Sequence, residues 1–278
     1  MLARTKMNTS VLDDIKYSTI DIAEAEEPLT TVVGIKCVDG VILASDSQFT
    51  ANYRKDLKGS KIFPINKFIA LGAAGRVSQM KILVAELKQT LGNNIYSDLD
   101  LRRTIEDTLL NLHKRYNLHW SESLGIPSTV FEPLSLLGAK LKDNSFNLYL
   151  LTFNPEPWVE PIDTYGTIGS GYLLARLVLK QHSRAASSHG KTLADLPLNY
   201  NIWVGSYVIN EIKEFDTYTG GSTKVGIIQN EGFVEIPDSK VLEYYNQVVD
   251  AIPKAVSEAL TQNKAATERM LKHQFPSG

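Results

Sequence analysis

Apolar and polar positions along this chain alternate between two periods. Val32 to Val38 and Val41 to Ala44 are short runs rich in β-branched residues, separated by Asp39-Gly40. Asp-Gly between two apolar runs predicts a hairpin, because a type I′ turn needs positive φ at both central residues. "KIFPINKFIALGAAG" (61–75) predicts two more short strands, broken at Pro64-Ile65-Asn66. The period then lengthens. Val77, Met80, Leu83 and Leu87 predict a helix over "RVSQMKILVAELKQTL", and "GNN" stops it. Leu101, Ile105, Leu109, Leu112 and Tyr116 recur at spacings of four and three, the mark of a helix with one buried stripe.

Strand patterning returns at "LSLLGAKL" (134–141) and "FNLYLLTF" (146–153), joined by "KDNS". "NPEPWVEP" holds too much proline for a central strand. In "TYGTIGSGYLLARLVLKQH", Gly169-Ser170-Gly171 separates a short strand-like piece from a helix running from about Tyr172 to His182. "SRAASSHGKTLADLP" reads as a loop and "NYNIWVGSYVINEIKEF" as a helix. "DTYTGGSTKVGIIQ" and "GFVEIP" make a closing hairpin, and a helical tail starts near Ser239, interrupted at Pro253. Strand clusters alternating with helix pairs disfavour a doubly wound parallel sheet. They predict an α+β fold in which antiparallel sheets pack together under helix pairs. The expected organisation is a leader over 1–29, one domain over 30–240 and a C-terminal helical extension over 241–278.

Composition narrows the function classes. With 43% apolar and 22% charged residues, the 278-residue chain reads as a soluble globular protein, expected in the cytoplasm. A net charge of −2 argues against a nucleic-acid partner. No apolar run approaches the ~18 residues of a membrane span, so no membrane association is expected. Cys37 is the one cysteine, which excludes an internal disulfide and fits a reducing compartment. It falls within a strand and is expected to pack in the core. The histidines at 113, 119, 182, 189 and 273 have no metal-binding spacing. Walker A, GxGxxG and GxSxG signatures are missing, so no metal or cofactor is expected.

The first 29 residues are polar, mixed in charge and without the apolar core of a secretory signal; they read as a tail or as a removable pro-segment. The second reading depends on Thr30. A threonine hydroxyl needs a nearby base to act as a nucleophile. A chain beginning at threonine carries one in its own α-amine, whose pKa of about 7.7–8.0 suits a general base. An idealised register centred on Asp39-Gly40 sets Asp46 across from Val33, on the face of Thr31 rather than Thr30. A bulge or a bridging residue is then needed, and Lys61 is a candidate bridge. A solvated loop-edge lysine is the plain alternative for Lys61.

With these residues in place, "TTVVGIKCVDGVILASDS" resembles the start of a mature β-type subunit of the proteasome core particle, a threonine protease of the N-terminal nucleophile hydrolase superfamily. Further matches follow in the family's order from residue 30 to about 237. They are Gly34, Asp46 in the returning strand, "KIFPI" opened by Lys61, Ala74-Gly75 before the first helix, "GSG" with Ser170, and "DTYTGG" with Asp216 and Thr219.

The resemblance implies a four-layer αββα sandwich and peptide-bond hydrolysis through an acyl ester on Thr30, after self-cleavage removes residues 1–29. It implies that Lys61 lowers the pKa of amine and hydroxyl, that Asp46 holds Lys61, and that Ser170, Asp216 and Thr219 orient the amine and a water. The Gly75 N–H would stabilise the oxyanion, and Ala73 would floor the specificity pocket. Implied partners are α-type and other β-type subunits in stacked seven-membered rings, unfolded protein substrates, and a regulatory ATPase acting through the α ring. Two positions depart from the family pattern. Leu29 stands where glycine is usual before the threonine, and Thr219 stands where serine is usual. Two alternatives stay open: a non-catalytic ring subunit that is never processed, favoured by Leu29, and an amidohydrolase of the same superfamily acting on small amides.

Overall fold

The first hairpin turns one residue earlier than its Asp-Gly pair predicts. β1 (Thr31–Cys37) and β2 (Gly40–Asp46) pair antiparallel with Cys37 opposite Gly40, which leaves Val38 and Asp39 as the turn. Neither Asp39 nor Gly40 takes positive φ, so the turn is not type I′. Tertiary contacts override the local preference. Asp39 Oδ1 accepts the Leu198 amide at 2.7 Å, and the Val38 amide donates to the Leu196 carbonyl at 3.2 Å. Gly40 is held in the strand, where a Cβ would collide with Leu198 at 2.6 Å and with the backbone of Ile228. The register therefore moves by two residues. Val32 faces Ser45, and Asp46 lies alongside Thr31 instead of Val33.

The computed structural model describes residues 30–51, 54–56, 59–118, 131–153, 156–247 and 249–250. The leader, Leu29, His119, Pro253 and His273 lie outside them.

The second strand pair is β5 (Ile62–Asn66) with β6 (Ile69–Ala74). Its break falls at Lys67-Phe68, not at Pro64-Ile65-Asn66. Pro64 fits inside β5 because β5 is a sheet edge, where a missing N–H costs no ladder bond, and the register shifts between Pro64 and Asn66. A small hairpin of β3 (Phe49–Ala51) and β4 (Arg54–Asp56), which the sequence pattern did not predict, precedes it. β7 (Leu134–Lys140) and β8 (Phe146–Thr152) follow as read from the sequence. The proline-rich stretch forms β9 (Trp158–Ile162) on the opposite edge. β10 (Tyr165–Gly169), β11 (Thr223–Gln229) and β12 (Gly232–Ile236) complete the strands among the described residues.

Two five-stranded antiparallel sheets result, ordered β10-β1-β2-β11-β12 and β5-β6-β7-β8-β9. The helices are α1 (Val77–Leu91), α2 (Asp98–His113), α3 (Tyr172–Ser187) and α4 (Leu198–Lys213). α3 runs beyond His182 into the predicted loop, which also holds a short 3-10 turn at Leu193–Asp195. A further helical segment covers 238–247.

Three apolar layers hold this arrangement. Val32, Val41, Leu43, Ala74, Leu136, Leu148 and Ile228 pack between the sheets. Val33, Ile35, Ile42 and Ala44 point the other way, against Leu179, Val204, Val208 and Ile212 of α3 and α4. Leu71, Leu137, Tyr149 and Leu151 meet Leu83, Leu87, Ile105 and Leu109 of α1 and α2. Both faces of each central strand are thus covered, so β1 and β2 are buried almost throughout instead of alternating. The predicted α+β sandwich, four layers in the order αββα, is the fold. Val241, from the helical segment after β12, joins the layer under α4.

The sheets approach closely at Gly138, where an added Cβ would meet Ile228 Cδ1 at 2.6 Å and Val41 Cγ1 at 2.8 Å. Gly138→Ala is expected to destabilise the fold by about 1–3 kcal/mol through overpacking. Urea unfolding of the two proteins checks this, and equal midpoints would mean that the sheets can part without cost.

Candidate active site

The end of β2, the start of β1 and the start of β5 converge on one buried point. Thr30, Asp46 and Lys61 are 2%, 0% and 1% exposed, although all three are polar. The two-residue shift of the hairpin brings Asp46 to Thr30 directly. Thr30 Oγ1 donates to Asp46 Oδ1 at 2.7 Å, and the Thr31 amide donates to the same oxygen at 3.0 Å. Neither a bulge nor a bridge is needed for that contact. Lys61 is nonetheless there. Its Nζ donates to Thr30 Oγ1 and to both Asp46 oxygens, at 2.9 and 3.0 Å. The solvated-lysine alternative is excluded by this burial.

Asp46 is pinned from further directions. Its Oδ2 accepts the Gln48 amide at 3.1 Å and the Gly220 amide at 3.2 Å. Nothing in the sequence pattern singled out these two backbone donors, because backbone groups carry no sequence signature. Lys61 is tied in through its own backbone, whose carbonyl accepts the Ala73 amide at 2.9 Å. Burial holds the Lys61 ammonium below its ordinary lysine range, while the charges of Asp46 and Asp216 work in the opposite direction.

A second cluster lies on the other side of Thr30. Ser170 Oγ lies 2.8 Å from Asp216 Oδ2 and 3.2 Å from the Thr30 carbonyl oxygen, and its one proton is shared between these two acceptors. Thr219 Oγ1 donates to the same Asp216 oxygen at 2.6 Å and lies 2.7 Å from Thr31 Oγ1. The methyl of Thr219 is thus accommodated with its hydrogen bond intact. Thr31 was not singled out in the sequence, yet its hydroxyl completes this chain. β10 delivers Ser170: Thr31 pairs with Gly169, which takes φ 93°. A Cβ at Gly169 would overlap the Thr30 carbonyl, so only glycine lets β10 close on this residue.

Gly75 occupies the turn from β6 to α1 at φ 127°. A Cβ there would meet only Pro133, at 3.7 Å, so the backbone angle, not lack of room, calls for glycine. Ala73 is fully buried and packs with Met80 and Leu83, so within the single chain its side chain presents no open pocket floor. The other sequence candidates sit elsewhere. Cys37 is buried beside Asn201, and burial pushes its thiol up to about 12, the behaviour of a packed cysteine. His113 bonds Asn117, and His182 packs edge-on against Trp203 and Tyr207. Among the described residues no group of His, Cys, Asp and Glu could hold a metal ion. No helix among them is long and apolar enough to cross a membrane.

The arrangement offers one hydroxyl with a cationic donor on one side and a fixed carboxylate on the other. Its residue's carbonyl is held by a serine that shares an aspartate with Thr219. Such a hydroxyl is oriented and polarised, which is what a threonine nucleophile requires.

Comparison with known proteins gives the chain's relatives. The family model for proteasome subunits matches residues 29–117. The chain is 32% identical over 149 residues to the proteasome subunit beta of Nanoarchaeum equitans, covering 53% of this chain and 70% of that protein. It is 25% identical over 238 residues to the proteasome subunit beta of Methanocaldococcus fervens, covering 82% and 94%. It is also 25% identical over 231 residues to the proteasome subunit alpha of Methanobrevibacter smithii, covering 81% and 84%.

The buried ion pair makes a stability prediction of its own. Asp46→Ala leaves the Lys61 ammonium buried without its carboxylate and is expected to cost about 3–5 kcal/mol. Pairing Asp46→Leu with Lys61→Met should recover most of that loss, since an apolar pair needs no compensation. Urea denaturation of the variants measures both, and a single variant as stable as the wild type would mean that water reaches Lys61.

Proposed function

The chain belongs to the proteasome subunit family as a β-type member, and on that premise we propose that it is a threonine endopeptidase, the catalytic β subunit of a proteasome core particle. The observation that carries this reading is the Thr30 hydroxyl, buried between Lys61 Nζ and Asp46 Oδ1.

In this proposal the bond between Leu29 and Thr30 is first cut by the chain itself. Thr30 Oγ1 attacks the Leu29 carbonyl carbon, the acyl group passes from nitrogen to oxygen, and water hydrolyses the ester to release residues 1–29. The freed α-amine becomes the general base. During turnover Oγ1 bonds to the substrate carbonyl carbon as its proton passes to the amine. The oxyanion is met by the Gly75 N–H, a type of contact worth about 2.7–4 kcal/mol of barrier. The C–N bond then breaks as the amine returns the proton to the leaving nitrogen, and water hydrolyses the acyl ester. Lys61 favours the neutral amine and the alkoxide electrostatically, and Asp46 keeps Lys61 in place. Ser170, Asp216 and Thr219 orient the amine and the water. Leu29 restricts the backbone and crowds the carbonyl where a glycine would not, so the first cleavage is slow and is accelerated by ring assembly.

The partners fit a compartment. An internal threonine protease must be enclosed, and the similarity to both alpha and beta subunits supports stacked rings of α-type and β-type chains. Unfolded proteins are the substrates, a regulatory ATPase feeds them through the α ring, and the particle works in the cytoplasm. The second reading is a ring subunit that is never processed, and Leu29 before the threonine is the feature that favours it.

N-terminal sequencing of the assembled particle separates the two. An active preparation is expected to begin at Thr30, whereas an inactive chain that keeps its leader establishes the structural subunit. Thr30→Ala should retain the leader and lose all turnover, and Leu29→Gly should be processed faster. Lys61→Ala is expected to abolish peptidase activity in an assembled particle. Lys61→Arg should not restore it, because a guanidinium is bulkier and never gives up its proton. Near-wild-type turnover of fluorogenic peptides by either lysine variant would remove Lys61 from the mechanism.

A further inference from the structure

One more lysine lies behind this site, and the reaction as proposed does not use it. Lys213 ends α4, and its Nζ donates to Thr223 Oγ1 at 2.6 Å and to Asn210 Oδ1 at 3.1 Å. Thr223 Oγ1 in turn donates to Asn210 Oδ1 at 3.0 Å, and Asn210 Nδ2 donates to the Ser206 carbonyl at 2.9 Å. The ammonium is therefore held in one place by a closed set of polar partners. That place is not arbitrary. Thr223 is the β11 residue paired with Asp46 on β2, so Lys213 is anchored on the strand neighbour of the carboxylate that holds Lys61 and Thr30.

We propose that Lys213 is a remote positioning residue of the Thr30 site, whose charge, anchored beside Asp46, biases the proton balance of Lys61 and Thr30. The inference rests on the threonine-protease reading for its effect on turnover. Its effect on Lys61 stands without it. The physics is that of two cations flanking one anion. Asp46 attracts both Lys61 and Lys213, and each cation makes it harder for the other side to hold a proton. A charged Lys213 thus favours the neutral form of the Thr30 amine, the form that works as a base.

Several charged groups bear on Lys213. Burial is the first cause of its shift and lowers its titration to about 8, while Asp46 from β2 and Asp238 after β12 push it back up. Asp238 is itself paired with Lys224 of β11 at 2.8 Å. Glu211 on α4 acts on Tyr207 and Tyr245, and Glu214, which caps α4, acts on Tyr245. Asp216, just beyond α4, acts on Lys61. Among the described residues, Asp46 is the one charged group that bears on both Lys213 and Lys61. A plain alternative exists, since a lysine in the last turn of a helix is favoured by the helix dipole whatever lies nearby.

Two measurements decide between them. The first is the titration of Lys61 by NMR with ¹³Cε-labelled lysine, in wild type, Lys213→Met and Lys213→Arg. The second is the pH dependence of kcat/KM on a fluorogenic peptide in assembled particles. Lys213→Met should raise the Lys61 titration and move the acid limb of kcat/KM upward, each by about half a pH unit. Turnover on that limb would fall about threefold at unchanged KM. Lys213→Arg, which keeps the charge, should leave the Lys61 titration and the acid limb where wild type has them. Coincident titrations in the Met variant and wild type would overturn the proposal and leave a helix-end cation. If Lys213→Met does not fold, Lys213→Gln, which keeps a donor for Thr223, is read by the same criteria. A wild-type particle without turnover would defeat the protease reading, while the Lys61 titration would still decide the role of Lys213.

Discussion

A lysine and an aspartate paired and buried together at the mouth of two packed sheets set the terms for this structure. Lys61 and Asp46 come from different sheets and have almost no access to water. Such a pair is tolerated only when its geometry is near ideal and its remaining hydrogen-bonding capacity is met. The surrounding chain supplies this. Two backbone amides, Gln48 and Gly220, complete one carboxylate oxygen, and Thr30 and Thr31 complete the other. The Ala73 amide ties the Lys61 backbone to β6. The sheets cannot slide relative to one another without unpairing a buried charge, so the ion pair holds the alignment that the site needs.

The same constraint explains where close contacts were accepted. β10 must press against Thr30 for Ser170 to reach its carbonyl, and Gly169 permits that approach. The sheets must meet closely at Gly138 for the inner layer of Val41 and Ile228 to seal the far side of the sandwich. Covering the central strands with helices on one face and the opposing sheet on the other then removes water from around the pair, which strengthens every electrostatic effect inside it. Stability and chemistry draw on one arrangement, because the burial that makes the pair costly is also what lowers the hold of Lys61 on its proton.

Much of the architecture was legible in the one-dimensional pattern. Helix stripes at spacings of three and four and most of the strands appeared where they were read, and the proline-rich stretch stayed out of the sheet centre, because local periodicity and covalent limits on proline act within a few residues. Two of the misreadings share one cause. The first turn and the break in the second strand pair were decided by the tertiary setting and not by the local sequence. Leu196 and Leu198 capture Val38 and Asp39, and the sheet edge makes Pro64 harmless.

The site divides in the same way. Thr30, Asp46 and Lys61 could be proposed from residue chemistry, and Ser170, Asp216 and Thr219 from the resemblance to the family, whose motifs follow in order along the chain. Their connectivity could not. A two-residue change of register decided that Asp46 touches Thr30 itself, and it was imposed by packing far from the site. The amides of Gln48 and Gly220, the hydroxyl of Thr31 and the ammonium of Lys213 carry no local signature. They gain their places only when β11, β2 and α4 come together. The sequence by itself determined which groups are available and roughly which elements bear them, since propensity and periodicity are short-range. Only the tertiary structure decided which of those groups meet and with what charge beside them, since burial and hydrogen-bond geometry depend on segments remote along the chain.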